Sequence, residues 1–291
     1  MILKSVRNNK IESFFIVSIF IIFITLIIYF ICEYYLELGY FSILIALMFS
    51  FISAFASYYN SDKIILSMSN ARPANEEEDK LLSSILDNLC IASGLPKPKL
   101  YIIDDDSPNA FATGRDPSHA VICFTSGIIQ KLDKYELEGV MGHELSHIKN
   151  YDILLSTIVS VFVGMVVMLA DVFTRVRVGK SSSKNNANGI IMILGLIALI
   201  LSPIFATLMQ LAISRKREYL ADASSVEITR NPEGLISALK KLNDDKTILK
   251  SANKSTAHMF IVDPLKRIKD DGLYATHPPI EKRIERLQNI N

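Results

Sequence analysis

The sequence contains few cysteines, and none is placed as a disulfide framework or a thiolate metal site would require. Its three cysteines, Cys32, Cys90 and Cys123, form no CxxC pair, and Cys32 lies inside an apolar stretch. Disulfide-rich secreted domains and cysteine-based zinc sites depend on paired or regularly spaced cysteines. Neither class is indicated, and the cysteine pattern fits a reducing compartment.

The sequence also lacks an excess of charge of either sign. Its 31 lysines and arginines are balanced by 30 aspartates and glutamates, and the formal net charge is +1 at pH 7. Proteins that bind nucleic acid usually carry a basic field over part of their surface. We therefore expect no nucleic-acid partner.

Apolar residues, by contrast, are abundant. They make up 50% of the chain, and the mean hydropathy is +0.30. Four long apolar runs occur, at residues 14–32, 41–56, 153–173 and 189–213, and each approaches or exceeds the roughly 20 residues that a helix needs to cross a bilayer. The sequence therefore predicts four transmembrane helices and the lipid bilayer as a partner.

The charges around the first two runs predict their orientation. Basic residues flank this pair at Lys4, Arg7, Lys10, Lys63 and Arg72, whereas its connection carries Glu33 and Glu37. Positive residues remain on the cytoplasmic side of a membrane, so both ends of this hairpin and the polar residues 60–152 are expected in the cytoplasm. The first run is too long for a signal peptide and lacks a clear cleavage site, which predicts a retained anchor in the cell membrane.

The second pair of runs gives conflicting signals. Its connection carries Arg175, Arg177, Lys180 and Lys184, which a spanning hairpin would place outside the cell, against the positive-inside rule. A hairpin buried in protein at the membrane surface is the alternative. We favour spanning because glycine and proline breaks are tolerated in membrane helices. Both alternatives keep the two ends of the hairpin on one side.

The polar segments predict a small mixed fold. Helical spacing predicts a helix over residues 75–93, and β-rich stretches at 99–103 and 120–125 predict a small sheet. Asp133 and Glu136 form a capping-box pattern that starts another helix. The expected fold class is therefore mainly α, with an α+β cytoplasmic part attached to four membrane helices.

Further segments complete this prediction. Residues 214–228 are predicted to be helical, and Asn231-Pro232 is predicted to cap a helix that extends to Leu242. Residues 180–188 are predicted to be a flexible link. Residues 246–274 show little periodicity and are predicted to be a mobile loop.

An HExxH motif lies on the helix that follows Asp133. Residues four apart share one helix face, so His143 and His147 can direct two imidazole nitrogens at one tetrahedral cation, with Glu144 beside the open coordination position. Zinc lowers the pKa of bound water to about 7, and Glu144 can then act as general base. Two imidazoles and a carboxylate favour zinc over other cations. An isolated HExxH can also be a chance pattern on a surface helix.

A catalytic zinc site needs a third protein ligand, and Glu218 is the candidate. Asp222 follows it by four residues on the same predicted helix face and can accept the second N–H of a zinc-bound histidine. The alternative is a solvated charged helix after a membrane run, in which Arg215, Lys216 and Arg217 are ordinary cytoplasmic anchors. Spacing alone leaves both alternatives open.

Several segments, taken together, resemble the M48 metallopeptidases. They are residues 142–147 with Asn150 and Asp152, residues 214–222, residues 109–114, and Thr276-His277-Pro278-Pro279. Their order along the chain, with apolar pairs between them, is most similar to a branch of bacterial and archaeal heat-shock membrane proteases. The CAAX prenyl proteases are more distant relatives. The resemblance implies a zincin-like metalloprotease domain.

This resemblance also implies an activity and a ligand set. Glu218 corresponds to the third zinc ligand beside His143 and His147, and one zinc ion is expected per chain. The activity implied is ATP-independent endoproteolysis of misfolded or damaged membrane proteins, at an active site on the cytoplasmic side. These unfolded or damaged proteins are the expected substrates, and the role implied is quality control under stress.

Substrate-binding residues are also implied by the resemblance. Taken alone, the segment Asn109, Ala110, Phe111, Ala112, Thr113 and Gly114 is typical of a turn-prone loop. The resemblance implies an edge strand beside the cleft, which would bind an extended peptide by adding it to the sheet.

The remaining histidines receive different interpretations. His277 is either a capping or packing histidine or, where it faces the zinc, a donor to the oxyanion of the reaction. His119 and His258 lack such context and are predicted to be surface residues.

Four parts are predicted along the chain. Residues 1–60 form a transmembrane hairpin, 61–152 a cytoplasmic catalytic part with the HExxH helix, 153–213 a second apolar hairpin, and 214–291 a catalytic part with the third ligand.

Two rival functions stay open. A processing protease of the prenyl-protease type would need more spans and a large chamber, and a membrane scaffold with structural zinc would favour four ligands that include cysteine.

Overall fold

The computed structural model describes residues 2–178, 215–251, 255–264 and 277–290, and the fold is given for these residues. Its N-terminal part consists of two long helices, α1 over Ile2–Leu36 and α2 over Tyr40–Tyr59. The segment Val6–Leu26 of α1 and the whole of α2 are long and apolar enough to cross a membrane. These two candidate spans overlap the first two apolar runs of the sequence.

The side chains of these two helices are distributed as lipid requires. Small residues spaced by four on α2, Ser42, Ala46 and Ser50, are buried where α2 packs on α1. Large apolar side chains point outward instead, and Phe14 and Phe41 are each 69% exposed. Small residues allow close helix packing in a membrane, and an outward apolar surface is stable only where lipid covers it.

A short helix and a capped helix follow this hairpin. Helix α3 covers Ser61–Met68, strand β1 covers Arg72–Pro73, and α4 covers Glu76–Ser93. The Asn75 side chain accepts from the Glu78 backbone N–H, and the Glu78 carboxylate accepts from the Asn75 backbone N–H. This capping box satisfies two free donors at the start of α4. The structure thus confirms the helix predicted over residues 75–93.

The sheet has four strands in the order β1-β2-β4-β3. Strand β2 spans Lys99–Ile103, β3 spans Ala110–Thr113 and β4 spans Val121–Thr125. Strand β4 is parallel to β2 and antiparallel to β3, with Ala110 opposite Phe124 and Thr113 opposite Val121. Strand β3 is therefore an edge strand, and the alternative of a plain loop at residues 109–114 is wrong.

Every residue of β4 is buried because both faces of the sheet are covered. Ile122 and Phe124 face a core that α4, α6 and the C-terminal helices complete. Val121 and Cys123 face a second core that includes residues of α1, α3 and α7. Successive side chains of a strand point to opposite faces, so this one strand joins the two cores.

The HExxH motif lies on a buried helix. After α5 over Ser126–Lys131, helix α6 spans Lys134–Lys149 and α7 begins at Asp152 and continues to Val178. The predicted capping box of Asp133 and Glu136 is present at the start of α6. The axes of α6 and α7 differ in direction by 83°, and Tyr151 at the bend has a φ of +60°, which is uncommon for a residue with a side chain.

The C-terminal part packs around α6. Helix α8 spans Arg215–Thr229, α9 spans Pro232–Asp244 with Asn231 as its N-cap, and α10 spans Ile280–Gln288. Residues 255–264, which we call the strap, lie along the outer edge of β3. The helices predicted from residue 214 and from Asn231 are confirmed to within two residues.

The structure also describes parts of two predicted segments, residues 246–274 and 153–213. Residues 246–274 are predicted to be a mobile loop. Within the strap, Ser255, Thr256, Phe260 and Ile261 are buried against the rest of the protein, and the mobility of the segment stays a prediction. The hydrophobic side chains of residues 153–163 at the start of α7 are buried in protein. The link at 180–188 and the run at 189–213 lie outside the described residues.

Helices α6 and α8 approach each other closely because glycine occupies the contact. A Cβ atom on Gly142 would lie 2.7 Å from Ser225 Oγ, and one on Gly139 would lie 2.6 Å from the backbone nitrogen of Leu235 in α9. Ser225 Oγ also donates to the carbonyl oxygen of Gly139 at 2.7 Å. Larger residues at these positions would move α6 away from α8 and α9.

We predict that Gly139→Ala destabilises the protein. The new methyl group would contact a backbone atom that cannot rotate away, and such overpacking costs about 1–3 kcal/mol. Thermal unfolding of the purified chain in detergent should show a lower Tm for Gly139→Ala. Lys134→Ala, at an exposed position on the same helix, should unfold like the parent chain. Equal melting of all three would show that the helices separate without cost.

Candidate metal centre

Three potential ligand atoms converge in a buried position between α6 and α8. His143 Nε2 lies 3.1 Å from His147 Nε2 and 3.6 Å from Glu218 Oε2. His147 Nε2 lies 3.5 Å from Glu218 Oε1. Among the described residues, this is the group of histidine, cysteine and acidic side chains that could hold a metal ion. The structure thus brings together residues that are about 70 positions apart in the chain.

The spacing of these atoms fits a tetrahedral cation. Zinc binds histidine nitrogen at about 2.0–2.1 Å, so ligand atoms at tetrahedral angles are about 3.3 Å apart. In addition, Glu218 Oε2 is buried without a hydrogen-bond partner among the described residues. A buried carboxylate oxygen is rarely left in that state, because its desolvation is costly. The residues present therefore fit a zinc ion.

Asp222 contacts the ring nitrogen of His143 that faces away from the metal position, and Arg283 contacts Asp222. His143 Nδ1 lies 3.0 Å from Asp222 Oδ1, and the Arg283 guanidinium donates to both oxygens of Asp222 at 2.9 and 2.6 Å. Burial would raise the pKa of Asp222, but Arg283 and His143 outweigh it and hold that pKa below its usual value. Burial lowers the pKa of His143, which favours the neutral imidazole that a metal requires.

Asp152 supports His147 in the same way. His147 Nδ1 lies 3.0 Å from Asp152 Oδ2, and both residues are largely buried. Burial opposes the charged form of His147, but Asp152 and Glu218 outweigh it and raise the pKa of His147 to about 9. Such a carboxylate fixes the ring orientation and the position of the Nδ1 proton, so that Nε2 is directed at the metal position.

Glu144 lies beside the ligands in a buried environment. Burial, together with the charge of Glu218, raises the pKa of its carboxyl group to about 7 against the opposing effect of His147. The backbone N–H of Ala112 in the edge strand also contacts this carboxylate. A carboxyl group with a pKa near neutrality can both accept and return a proton.

His277 reaches the same cavity from the start of α10. Its Nδ1 lies 3.1 Å from Glu218 Oε2, yet the geometry is not that of a hydrogen bond, and neither ring nitrogen has a hydrogen-bond partner among the described residues. Burial would raise the pKa of Glu218, but His277, His147 and His143 together hold that pKa well below its usual value.

The strap covers part of the edge strand beside the cavity. Its Ile261 backbone N–H donates to the Ala110 carbonyl, and Asn109 exchanges hydrogen bonds with the Val262 backbone. The strap thus runs antiparallel to β3 along the first part of its free edge. The opposite edge of β3 is paired with β4 along its whole length. Of the six residues in the segment 109–114, only Ala112 lines the cavity.

The two histidines without motif context, His119 and His258, differ in their exposure to solvent. His119 is exposed and contacts Asp116, as expected for a surface residue. His258 is only 4% exposed and lines the cavity, so the prediction of a surface position is wrong. Its segment lacks sequence periodicity, and the contact with α7 that buries it depends on tertiary packing.

Sequence reasoning also missed roles for Asp152 and Arg283. Asp152 follows His147 by five residues, and this short spacing was the available signal. Arg283 had none, because an arginine on a short amphipathic helix normally faces solvent. In the structure Arg283 is 0% exposed, and it contacts Asp222 and the Ile261 carbonyl of the strap.

Known proteins are similar to this chain over most of its length. The profile described as Peptidase family M48 matches residues 76–291. The chain is 44% identical over 285 residues to the Protease HtpX homolog of Dictyoglomus thermophilum, which covers 98% of this chain and 93% of that protein. It is 40% identical over 299 residues to the Protease HtpX homolog of Lactobacillus helveticus, with 100% of both chains covered.

A solved structure shares the fold. The crystal structure of S. mikatae Ste24p matches with a TM-score of 0.51 and 20% sequence identity, over 98% of this chain and 67% of that chain. At this identity the similarity concerns the fold alone.

Asp152→Ala is expected to weaken zinc binding. Loss of a carboxylate that orients a metal-bound histidine typically costs 10–100-fold in metal affinity, so the Kd for zinc should rise by about that factor. Competition with a fluorescent zinc chelator on the purified chain measures this change. Asp79→Ala, at an exposed position on α4, is the matched control. An unchanged Kd for Asp152→Ala would contradict the assigned contact.

Proposed function

Because the chain belongs to peptidase family M48, we propose that it is a membrane-bound zinc endopeptidase that hydrolyses peptide bonds of misfolded or damaged membrane proteins. The observation that carries this proposal is the convergence of His143, His147 and Glu218 next to the buried Glu144. Three protein ligands leave one position of a tetrahedral cation open, as in catalytic zinc sites. A closed structural site would use a fourth protein ligand.

His143, His147 and Glu218 would hold one zinc ion per chain. When bound, the ion supplies Lewis-acid polarisation of a peptide carbonyl and a water whose pKa is about 7. Asp222 and Asp152 orient the two imidazoles, and Arg283 keeps Asp222 ionised. The ligand atoms are thereby held before the metal binds, which preorganises the site.

Glu144 is the proposed general base. Its carboxylate accepts a proton from the attacking water and then delivers that proton to the leaving amine of the cleaved peptide. The pKa of about 7 in this buried position matches both steps at neutral pH. His277 is proposed to donate to the oxyanion, because its ring nitrogens are buried at the cavity without other hydrogen-bond partners among the described residues.

Substrate is proposed to bind along the free part of the edge strand. The strap occupies the edge at Ala110, so the backbone of Ala112 is the part of β3 that faces the cavity next to Glu144. An extended peptide added here would place its carbonyl groups near the ligands and would be recognised mainly through backbone hydrogen bonds. Recognition of this kind suits unfolded segments of varied sequence.

The proposed setting is the cell membrane, with the site facing the cytoplasm. Two helices have the length and composition to cross a bilayer, and basic residues flank their hairpin. The second apolar pair is proposed to form two further spans. A protease joined to such helices acts on proteins that share its membrane, which supports a role in quality control.

We predict that Glu144→Gln abolishes cleavage and retains zinc. The amide keeps the shape of the side chain but cannot accept the proton, and general-base catalysis contributes typically about 10²–10⁴-fold to the rate. The measurement is proteolysis of a denatured membrane protein by the purified full chain, with zinc content determined in parallel.

Glu138→Gln is the matched control for this experiment. It makes the same chemical change on the same helix at a partly exposed position and should cleave like the parent chain. Persistent cleavage by Glu144→Gln in a clean preparation would refute the proposed mechanism. Equal cleavage of a folded soluble protein would argue against the proposed substrate class.

We also predict the orientation of the chain. The three native cysteines include none that is exposed, so single added cysteines report their own accessibility. Ser182→Cys, outside the described residues, should react with a membrane-impermeant maleimide on intact cells, since a spanning hairpin places it outside. Asp79→Cys should react only after lysis. Protection of Ser182→Cys in intact cells would contradict the spanning of residues 153–213.

A further inference from the structure

The first membrane helix carries a buried polar residue that the mechanism does not use. Asn9 lies in α1 within the candidate span Val6–Leu26, and it is 2% exposed. A buried amide in an apolar helix is costly unless its hydrogen-bonding groups are satisfied. The partners of Asn9 therefore indicate what its position requires.

Asn9 bonds to two segments that are distant in sequence. Its Nδ2 donates to the carbonyl oxygen of Asn150 at 2.9 Å and to Asp152 Oδ1 at 2.6 Å. Its Oδ1 accepts from Arg217 Nη1 at 3.0 Å. Both amide protons and the amide oxygen are thus used, and they join the end of the HExxH helix to the start of α8.

Two of these partners, Asp152 and Arg217, directly contact or adjoin a metal-ligand residue. Asp152 uses its other oxygen, Oδ2, for His147 Nδ1 at 3.0 Å. Arg217 directly precedes Glu218 in α8 and lies 3.8 Å from Asp152 Oδ1 through its Nε. Asn9 therefore fixes the carboxylate that orients one ligand and the backbone position that carries another.

Neighbouring residues of α1 hold the same region. The Lys10 ammonium lies 4.1 Å from the ring centre of Tyr151, whose backbone has the uncommon φ of +60°. Glu12 lies 3.4 Å from Arg217. These contacts keep α1 seated on the bend between α6 and α7, so the amide of Asn9 has a defined place.

We propose that Asn9 is a positioning residue of the metal centre, and that the first membrane helix completes the support of His147 and Glu218. The match to the family profile begins at residue 76, so this contribution comes from a part of the chain outside the matched catalytic segment. The proposal rests on the proposed function only in taking zinc as the bound metal.

The experiment compares the full chain in lipid nanodiscs with three variants. Asn9→Ala removes all three hydrogen bonds. Asn9→Asp has the same size and still accepts from Arg217, but its carboxylate faces that of Asp152. Asn8→Ala is the matched control, because Asn8 is the adjacent asparagine and is exposed.

The main readout is the rate at which zinc transfers to an excess of chelator, and kcat and KM for an unfolded membrane substrate are measured beside it. Loss of a residue that hydrogen-bonds to a metal ligand typically costs about 10–100-fold in metal affinity or activity. Because Asn9 acts through Asp152, we expect zinc release to be about tenfold faster in both Asn9 variants. We expect kcat to fall with little change in KM. Asn8→Ala should match the parent chain.

Three outcomes would overturn the proposal. Zinc release within about twofold of the parent chain in both Asn9 variants would show that the site does not depend on the amide. A similar acceleration in Asn8→Ala would assign the effect to general disturbance of α1. Failure of both Asn9 variants to fold, judged by circular dichroism and size exclusion, would assign Asn9 to fold stability.

The proposed function can fail separately. A parent chain that binds zinc but cleaves no substrate would refute the proteolytic role. The chelator measurement would still decide the role of Asn9 in that case.

Discussion

The close contact between α6 and α8 is the constraint on which the metal centre depends. Helix α6 carries His143 and His147, and α8 carries Glu218. Side chains this short reach one point only when the two backbones are close together. Glycine at position 142 removes the side chain that would separate them, and the Ser225 hydroxyl bonds directly to the α6 backbone. The geometry of the ligands is therefore a consequence of small residues at a helix interface.

Burial of charge around these helices explains why the site favours a cation. The carboxylates of Glu144, Asp152, Glu218 and Asp222 are all buried. When His147 is neutral, as a metal ligand must be, the cations beside these four groups are Arg217 and Arg283. Buried charges are stable only when they are paired and hydrogen-bonded. A divalent cation would offset the remaining negative charge, so metal binding and stability of this region are expected to be coupled.

The membrane helices and the catalytic part share one hydrophobic core. Phe20 of α1 stacks on Phe162 of α7 with ring centres 3.8 Å apart, and the same cluster includes Phe111 of β3 and Phe260 of the strap. Strand β3 thus contacts both α7 and the HExxH helix α6. This arrangement connects the position of the first membrane helix to the edge strand as well as to the bend after α6.

Local patterns in the sequence determined the helix that carries the HExxH motif, its capping box, the helix after Asn75 and the two N-terminal apolar helices, because each depends on spacing within about 20 residues. The ligand pair His143 and His147 follows from the same local rule. Only the tertiary structure brought Glu218 to them, buried Arg283 and His258, and placed the strap against Ala110. Those features depend on contacts between residues far apart in the chain, and a side chain such as arginine has no local pattern that distinguishes a buried ion pair from a solvated surface. The support of His147 by Asn9 is of the same kind, since its partners lie more than 140 positions away.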